Sequence, residues 1–359
     1  MREQDMDIRP EEPIIEPDLP IVDAHHHLWL LSDAVIERMA GSENLWARML
    51  APAFHCKKRY LLDEFLADAS SGHNIRASVF VDAHSMYRSS GPEAMKSVGE
   101  VEFVNGVAAM SASGLFGNAR ICAGIVGGVD LLMGEAVEDV LVAHIQAGGG
   151  RYCGVRSSVV HDDDPNVIKA RGIPRLLLAG EFRKGFARLG RFGLSFDAWV
   201  LEPQLPDVVD LARTFPETPI ILNHTGTPVG IGQYAGQRET RFPHWGQSML
   251  QLSQLPNVTV KLGGLGTPFA GFSSFDIHTR RTSEQLAAEW RPYIETCIEL
   301  FGPNRCMFES NFPVDFSAAN YAVLWNAFKR IVQGASQDEK AQLFSGTASR
   351  VYALVPSDE

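Results

Sequence analysis

The 359-residue chain has no stretch of about 18 consecutive apolar residues, the length a helix needs to cross a bilayer, so no membrane span is expected. Cysteine is scarce. The five present (Cys56, Cys122, Cys153, Cys297 and Cys306) are far apart and form no C-x-x-C pair, which argues against a disulfide framework and a cysteine zinc site. Positive charge is also short: 32 Lys and Arg against 43 Asp and Glu, a net charge of -11, with the basic residues scattered. Nucleic acid and anionic membranes are therefore not expected as partners, because binding phosphate takes clustered cations. No glycine-rich fingerprint follows the first apolar strand, so nothing suggests a dinucleotide fold. Met1 to Pro20 is acidic and proline-rich and lacks the basic start and apolar middle of a signal peptide, so a cytoplasmic protein is expected. Residues 1–20 read as an acidic arm before a single domain, 21–359.

What the chain does have is apolar mass and a rhythm. At 45% hydrophobic and 21% charged residues it can bury a large core. Short β-rich runs recur at Ile21 to His27, Ile75 to Asp82, Arg120 to Val126, Tyr152 to Val159, Phe192 to Trp199, Pro219 to His224, Asn257 to Leu262 and Arg305 to Ser310. Stretches of helical period separate them, among them Leu61 to Ser70, Val101 to Ala112, Glu135 to Ala147, Pro174 to Leu189, Gln204 to Phe215 and Ser283 to Phe301. Near-continuous apolar strands alternating with helices predict parallel pairing with both faces covered. Eight such units predict an α/β fold, a (β/α)₈ TIM barrel, with long loops after strands 1 and 7 (about Leu28 to Arg59 and Gly263 to Thr282). Both loops leave the carboxyl ends of strands, where a barrel builds its active site. The first carries Trp29, Trp46, Phe54 and His55, and the second Phe269, Phe272, Phe275 and His278. Packing under the loops and stacking on a substrate explain these aromatics equally well.

The first strand ends Asp23-Ala24-His25-His26-His27-Leu28-Trp29. Alternation places Asp23, His25 and His27 on one face and His26 on the other. Two imidazoles pointing one way from a strand end make half of a metal site. The sixth strand brings a third, in Asn223-His224-Thr225-Gly226. The fourth carries Arg156 in Gly154-Val155-Arg156, the seventh carries Lys261 before Gly263-Gly264, and the eighth runs Glu309-Ser310-Asn311-Phe312-Pro313-Val314-Asp315. Taken singly each has a bland reading, Arg156 as a buried ion pair and His224 as a satisfied core histidine. Together, so many polar groups at strand ends point to a site, because only the barrel mouth can solvate them.

The pieces DAHHHLW, GVRSSV, LNHTG, VKLGG and FESNFPVD, in that order, resemble the amidohydrolase superfamily, and within it the lactonase-like barrels described as metal-dependent hydrolases. The resemblance runs from Ile21 to Leu354. It implies a (β/α)₈ barrel and a hydrolase opening lactones of sugar acids or of aromatic breakdown products. It also implies His25, His27 and His224 as metal ligands, His224 among the catalytic groups, and Arg156 on a substrate carboxylate or carbonyl. Trp29 and Lys261 join Arg156 as expected substrate contacts. The departure is at strand eight, where relatives carry Asp as ligand or base and this chain has Asn311, an amide that cannot accept a proton near neutral pH. The missing base is then expected at Asp315, for reach, or Glu309, for burial. One divalent ion, zinc or manganese, is expected on the histidines, and a metal-free barrel using them as hydrogen-bond donors is an equal alternative. The other readings are a metal-dependent decarboxylase of aromatic or unsaturated acids, against which Asn311 counts, and a non-catalytic binding barrel, against which the three histidines count. Arg156 and Lys261, with Arg280 and Arg281, suggest a small anionic substrate. The acidic arm suggests packing on a second copy of the chain.

Overall fold

The computed structural model describes residues 12–168, 173–275 and 281–354. Eight parallel strands follow one another around one sheet in chain order: β1 (Pro20–His26), β2 (Asn74–Val81), β3 (Arg120–Gly128), β4 (Tyr152–Arg156), β5 (Ser195–Ala198), β6 (Ile220–Leu222), β7 (Val258–Leu262) and β8 (Cys306–Phe308). The ring is nearly closed by the chain just past β8. There Asn311 N donates to His25 O at 2.9 Å and His27 N donates to Phe312 O at 2.8 Å. The expected (β/α)₈ barrel is the observed fold.

Two apolar layers explain why this sequence closes. Ile21, Ile75, Phe80, Ile125, Phe196 and Leu222 turn outward beneath the surrounding helices, while Val22, Ala24, Val79, Val126, Ile221 and Met307 turn into the barrel. The interior floor is completed by Tyr352 and Leu354 at the chain's far end. Each buried side chain of this kind contributes about 1.5–3 kcal/mol. The helices sit where the sequence predicts them, Leu62–Ala69, Val98–Ala112, Glu138–Ala147, Gly180–Leu189, Leu205–Thr214 and Ser283–Phe301, with Arg238–Ser253 and Tyr321–Ile331 completing the shell. The sharpest boundary is at Ser283. Thr282 accepts from the Gln285 backbone N–H while the Gln285 side chain returns to the Thr282 N–H, a reciprocal cap.

The long segment after β1 is not structureless. It contains helices Asp33–Ala40 and Leu45–Cys56 and is tied off by a small ladder between Trp29–Leu30 and Arg59–Tyr60. The segment after β7 is described to residue 275, and His278 and Arg280 lie outside the described residues. Among the described residues no disulfide joins the cysteines. The described part of the N-terminal arm lies on the chain's own helices: Lys329 Nζ donates to Ile15 O at 2.9 Å, and Lys340 Nζ meets Glu16 at 2.6 Å. Among the described residues no helix is long and apolar enough to cross a membrane.

Candidate active site

At β1 the expected alternation breaks once. Asp23 pairs with Ser78 and His26 with Phe80, so three residues of β1 advance against two of β2, a β-bulge. The bulge flips the face. Asp23 therefore points away from His25, corrected from the expected shared face, and its carboxylate accepts from Ser310 Oγ at 2.6 Å and Tyr321 Oη at 2.9 Å. His26 turns outward as expected, stacked on Phe65 and bonded to Ser78.

His25 and His27 stay together, and His224 joins them from the turn after β6. The His25 ring lies 4.8 Å from that of His27 and 4.9 Å from that of His224, centre to centre. Glu309 sits beneath them. Its Oε1 accepts from the His224 ring Nδ1 at 2.7 Å and from the His224 backbone N–H at 3.1 Å, while Oε2 is 2.8 Å from His25 Nδ1. That second contact is short but poorly aligned, so Oε2 has no hydrogen-bond donor among the described residues. This carboxylate directly follows β8, two residues before Asn311. Ligand atoms of His25, His224 and Glu309 all lie within 4.8 Å of one another.

Gly263 and Gly264, quoted above only as part of a motif, are what make this cluster fit. A Cβ on Gly264 would lie 2.2 Å from Cγ and Nδ1 of His224, and one on Gly263 would lie 2.5 Å from Cγ of Glu309. Both positions must be bare. Gly264 also has φ +66°, and His224 and Asn311 have φ +55° and +53°. Such left-handed non-glycine residues cluster where a side chain must be aimed rather than where the backbone rests.

The donor set fits a divalent metal. His27 Nδ1 is 2.7 Å from Val81 O and donates to it, so Nε2 keeps its lone pair. That atom is 3.2 Å from His25 Nε2, close to the roughly 3.3 Å that separates two nitrogens bound about 2.0–2.1 Å from one tetrahedral zinc ion. Burial, first of all, holds His25 and His27 well below the usual imidazole range, with Lys261 acting further on His25 and Arg156 on His27. Neutral imidazoles are the form that binds a metal. The same gap also closes without metal. Lys261 Nζ, 3.3 Å from His25 Nδ1, then donates there, and His25 Nε2–H donates to His27. The two forms differ by one tautomer of His25.

Above the histidines opens a cavity of 220 Å³ whose wall includes His27, His224, Arg156, Asn311 and Trp29. Trp46, Leu50, Phe54, Trp199, Phe269 and Val314 make most of the rest apolar. Trp29 stacks on His27 at 5.9 Å and is held by its Nε1–H on Lys57 O. Arg156 both lines the cavity and pairs with Asp82, donating to its backbone oxygen, with Nε 3.7 Å from its carboxylate. A larger hollow of 400 Å³ beside Asp162 and Arg175 holds none of the converging histidines.

Of the expected site residues, His25 and Glu309 lie in the cluster beneath the cavity, and Lys261 and Asp315 are displaced from it. Lys261 is fully buried below it in an ion pair with Asp197 at 2.6 Å, a carboxylate that also accepts from Tyr352. The face of β7 that points into the barrel puts position 261 a layer beneath the mouth. Asp315 is buried behind Asn311, whose Nδ2 donates to it at 2.7 Å, while Gly266 N–H donates from the other side. Burial pushes its pKa up to about 8. Arg281 bonds to Ser273 and does not line the cavity.

Comparison with known proteins agrees with this geometry. The amidohydrolase family model matches residues 22–354. An uncharacterised protein of Sinorhizobium fredii, y4mH, is 33% identical over 94% of this chain and 99% of its own. An L-fucono-1,5-lactonase of Burkholderia multivorans is 30% identical over 48% of this chain and 56% of its own. The crystal structure of an amidohydrolase from Burkholderia multivorans with bound zinc superposes with a TM-score of 0.68 at 26% identity, over 93% of this chain and 99% of that one.

Proposed function

The chain belongs to the amidohydrolase family, and from that premise we propose that it is a hydrolase that opens a lactone with a flat, largely apolar body and one carboxylate. The observation that carries this is the cluster of His25, His27 and His224, with Glu309 bridging His25 and His224, at the base of an aromatic cavity with Arg156 on its wall. A sugar-acid lactone would call for a polar wall. Trp29, Trp46, Phe54 and Trp199 favour the planar ring of an aromatic-degradation lactone.

A divalent metal, when bound, would be held by His25, His27 and His224 and would polarise the acyl oxygen or acidify a bound water. The chain's own groups do the remainder. Glu309 accepts the Nδ1–H of His224, which fixes its tautomer and turns the Nε2 lone pair away from the carboxylate, available to hold the ion or to take a proton from the attacking water. Arg156 holds the carboxylate or acyl oxygen of the substrate. Asn311 spends its Nδ2 on Asp315, leaving its carbonyl oxygen as an acceptor for the water. Asp315 is a positioning residue rather than the base, since a carboxyl titrating near 8 is mostly protonated at neutral pH.

The test is turnover on a panel of aromatic-derived and sugar-acid lactones, with carbon dioxide release from aromatic acids measured alongside. Lactone opening that falls at least a hundredfold in Arg156→Met, a loss far larger than the accompanying loss of stability from the Asp82 pair, is the expected result. Carbon dioxide release without lactone opening would overturn the proposal in favour of a decarboxylase.

A further inference from the structure

Another part of the cavity wall carries chemistry that the histidine cluster does not use. Ser158 Oγ lies 3.2 Å from His84 Nε2, and His84 Nδ1 lies 3.2 Å from Asp82 Oδ1. Tyr87 Oη is 3.0 Å from the same Nδ1 and 3.1 Å from the same carboxylate oxygen. With Nδ1–H directed at Asp82 and Tyr87, the Nε2 lone pair is left to accept the Ser158 hydroxyl proton. Hydroxyl, base and orienting acid thus stand in the order that activates a nucleophile.

The arrangement is built from below. His84 has φ +55°, a conformation rare outside glycine. The turn is pinned by Glu100, fully buried, whose Oε1 accepts from Ala83 N–H at 3.1 Å and Ser85 N–H at 2.7 Å. A Cβ on Gly128 would lie 2.5 Å from Asp82 Oδ1 and 2.7 Å from Tyr87 Oη, so β3 leaves its last position bare for them. Burial, and then the Asp82 charge, drive the Glu100 carboxyl well up. Its Oε2 has no hydrogen-bond donor among the described residues, as suits a neutral carboxyl beside Asp82. Burial alone would raise Asp82 too, but His84 and Arg156 outweigh it and hold Asp82 well below the usual range. The orienting carboxylate is thus favoured in its charged form beside a carboxyl favoured neutral, which adds to the geometry of Ser158, His84 and Asp82. His84 is 61% exposed, so an ester reaches Ser158 from solvent.

We propose that Ser158 is a nucleophile activated by His84 and Asp82, and that the protein cleaves small activated carboxylic esters through an acyl-Ser158 intermediate. The Ser158 proton passes to His84 Nε2 as Oγ bonds to the acyl carbon. The carbon–oxygen bond to the alcohol then breaks, and the alcohol departs with that proton. Water repeats the sequence on the acyl-serine and releases the acid. Arg156, on the same wall, is the cation available to the developing oxyanion.

Diisopropyl fluorophosphate tests this directly, because Ser158 Oγ would displace fluoride and keep the phosphoryl group. Intact-mass and peptide analysis should find one adduct, on Ser158. Ser158→Ala should lose it, and His84→Gln should label at least tenfold more slowly, with melting of both variants unchanged. A burst of about one p-nitrophenol per chain from p-nitrophenyl acetate should vanish in Ser158→Ala. No adduct, an adduct that persists in Ser158→Ala, or an unchanged rate in His84→Gln would overturn the proposal. A protein that labels at Ser158 but opens no lactone refutes the lactone reading alone, and the reverse result refutes only this one.

Discussion

Glu309→Gln is the most discriminating perturbation of the histidine cluster. The carboxylate is fully buried, and its Oε1 takes two hydrogen bonds, from the His224 ring at 2.7 Å and the His224 backbone at 3.1 Å. The amide keeps one acceptor oxygen in place but loses the charge. A hydrogen bond to a charged group contributes about 1.5–3 kcal/mol and a neutral one about 1, so the substitution removes roughly 1 kcal/mol from each of the two. No solvent screens the loss. About 2 kcal/mol is expected in urea unfolding, and kcat/KM on the lactone should fall about 30-fold at 1.36 kcal/mol per decade, because the positive charge gathering on His224 in the transition state no longer faces an anion. Zinc affinity, measured by calorimetry against a competing chelator, should drop about 10–100-fold, as for other supports of metal-bound histidines. The decisive pairing is kinetic and thermodynamic together. A variant with kcat/KM within twofold of the parent and the same zinc affinity would show that Glu309 does not orient the site.

Gly264→Ala should abolish most activity and weaken zinc binding, since its Cβ would stand 2.2 Å from the His224 ring, and a crystal structure of the variant should find that ring displaced. Lys261→Met should cost about 3–5 kcal/mol in urea unfolding by leaving Asp197 buried without its cation, with KM little changed; a rise in KM with full stability would return Lys261 to the substrate. Asp315 is protonated in the fold up to about pH 8 but ionises near 3.8 when unfolded, so its contribution is fully present below about 3.8 and is lost as pH rises toward 8. Asp315→Asn should flatten that part of the stability profile and lower activity less than tenfold, whereas near-total inactivation would make Asp315 the base. Asn311→Asp should tighten zinc binding by adding an anionic oxygen at the cavity, read by the same calorimetry, and an unchanged affinity would place position 311 outside the metal's reach.

Much of this protein was readable along the chain. Eight apolar runs at β spacing, separated by helical stretches, bury both faces of a parallel sheet, and eight such units without a nucleotide fingerprint fit a barrel better than an open sheet. The end of each strand was then known to face one mouth, and that alone gathered His25, His27, His224 and Arg156 there. The shared face assigned to Asp23 failed because a bulge is a mismatch between two strands, here where Asp23 pairs with Ser78 and His26 with Phe80, and neither strand's composition records it. Depth failed for the same reason. Whether Lys261 reaches the cavity or Asp197 depends on the stagger between neighbouring strands, which no single strand encodes. Gly263 and Gly264 were visible as residues, but the side chains they make room for come from β8 and from the turn after β6. Ser158 shares no spacing with Asp82 and His84, and it is the closing of β2 against β4 through β3 that sets a hydroxyl beside an imidazole 74 residues away.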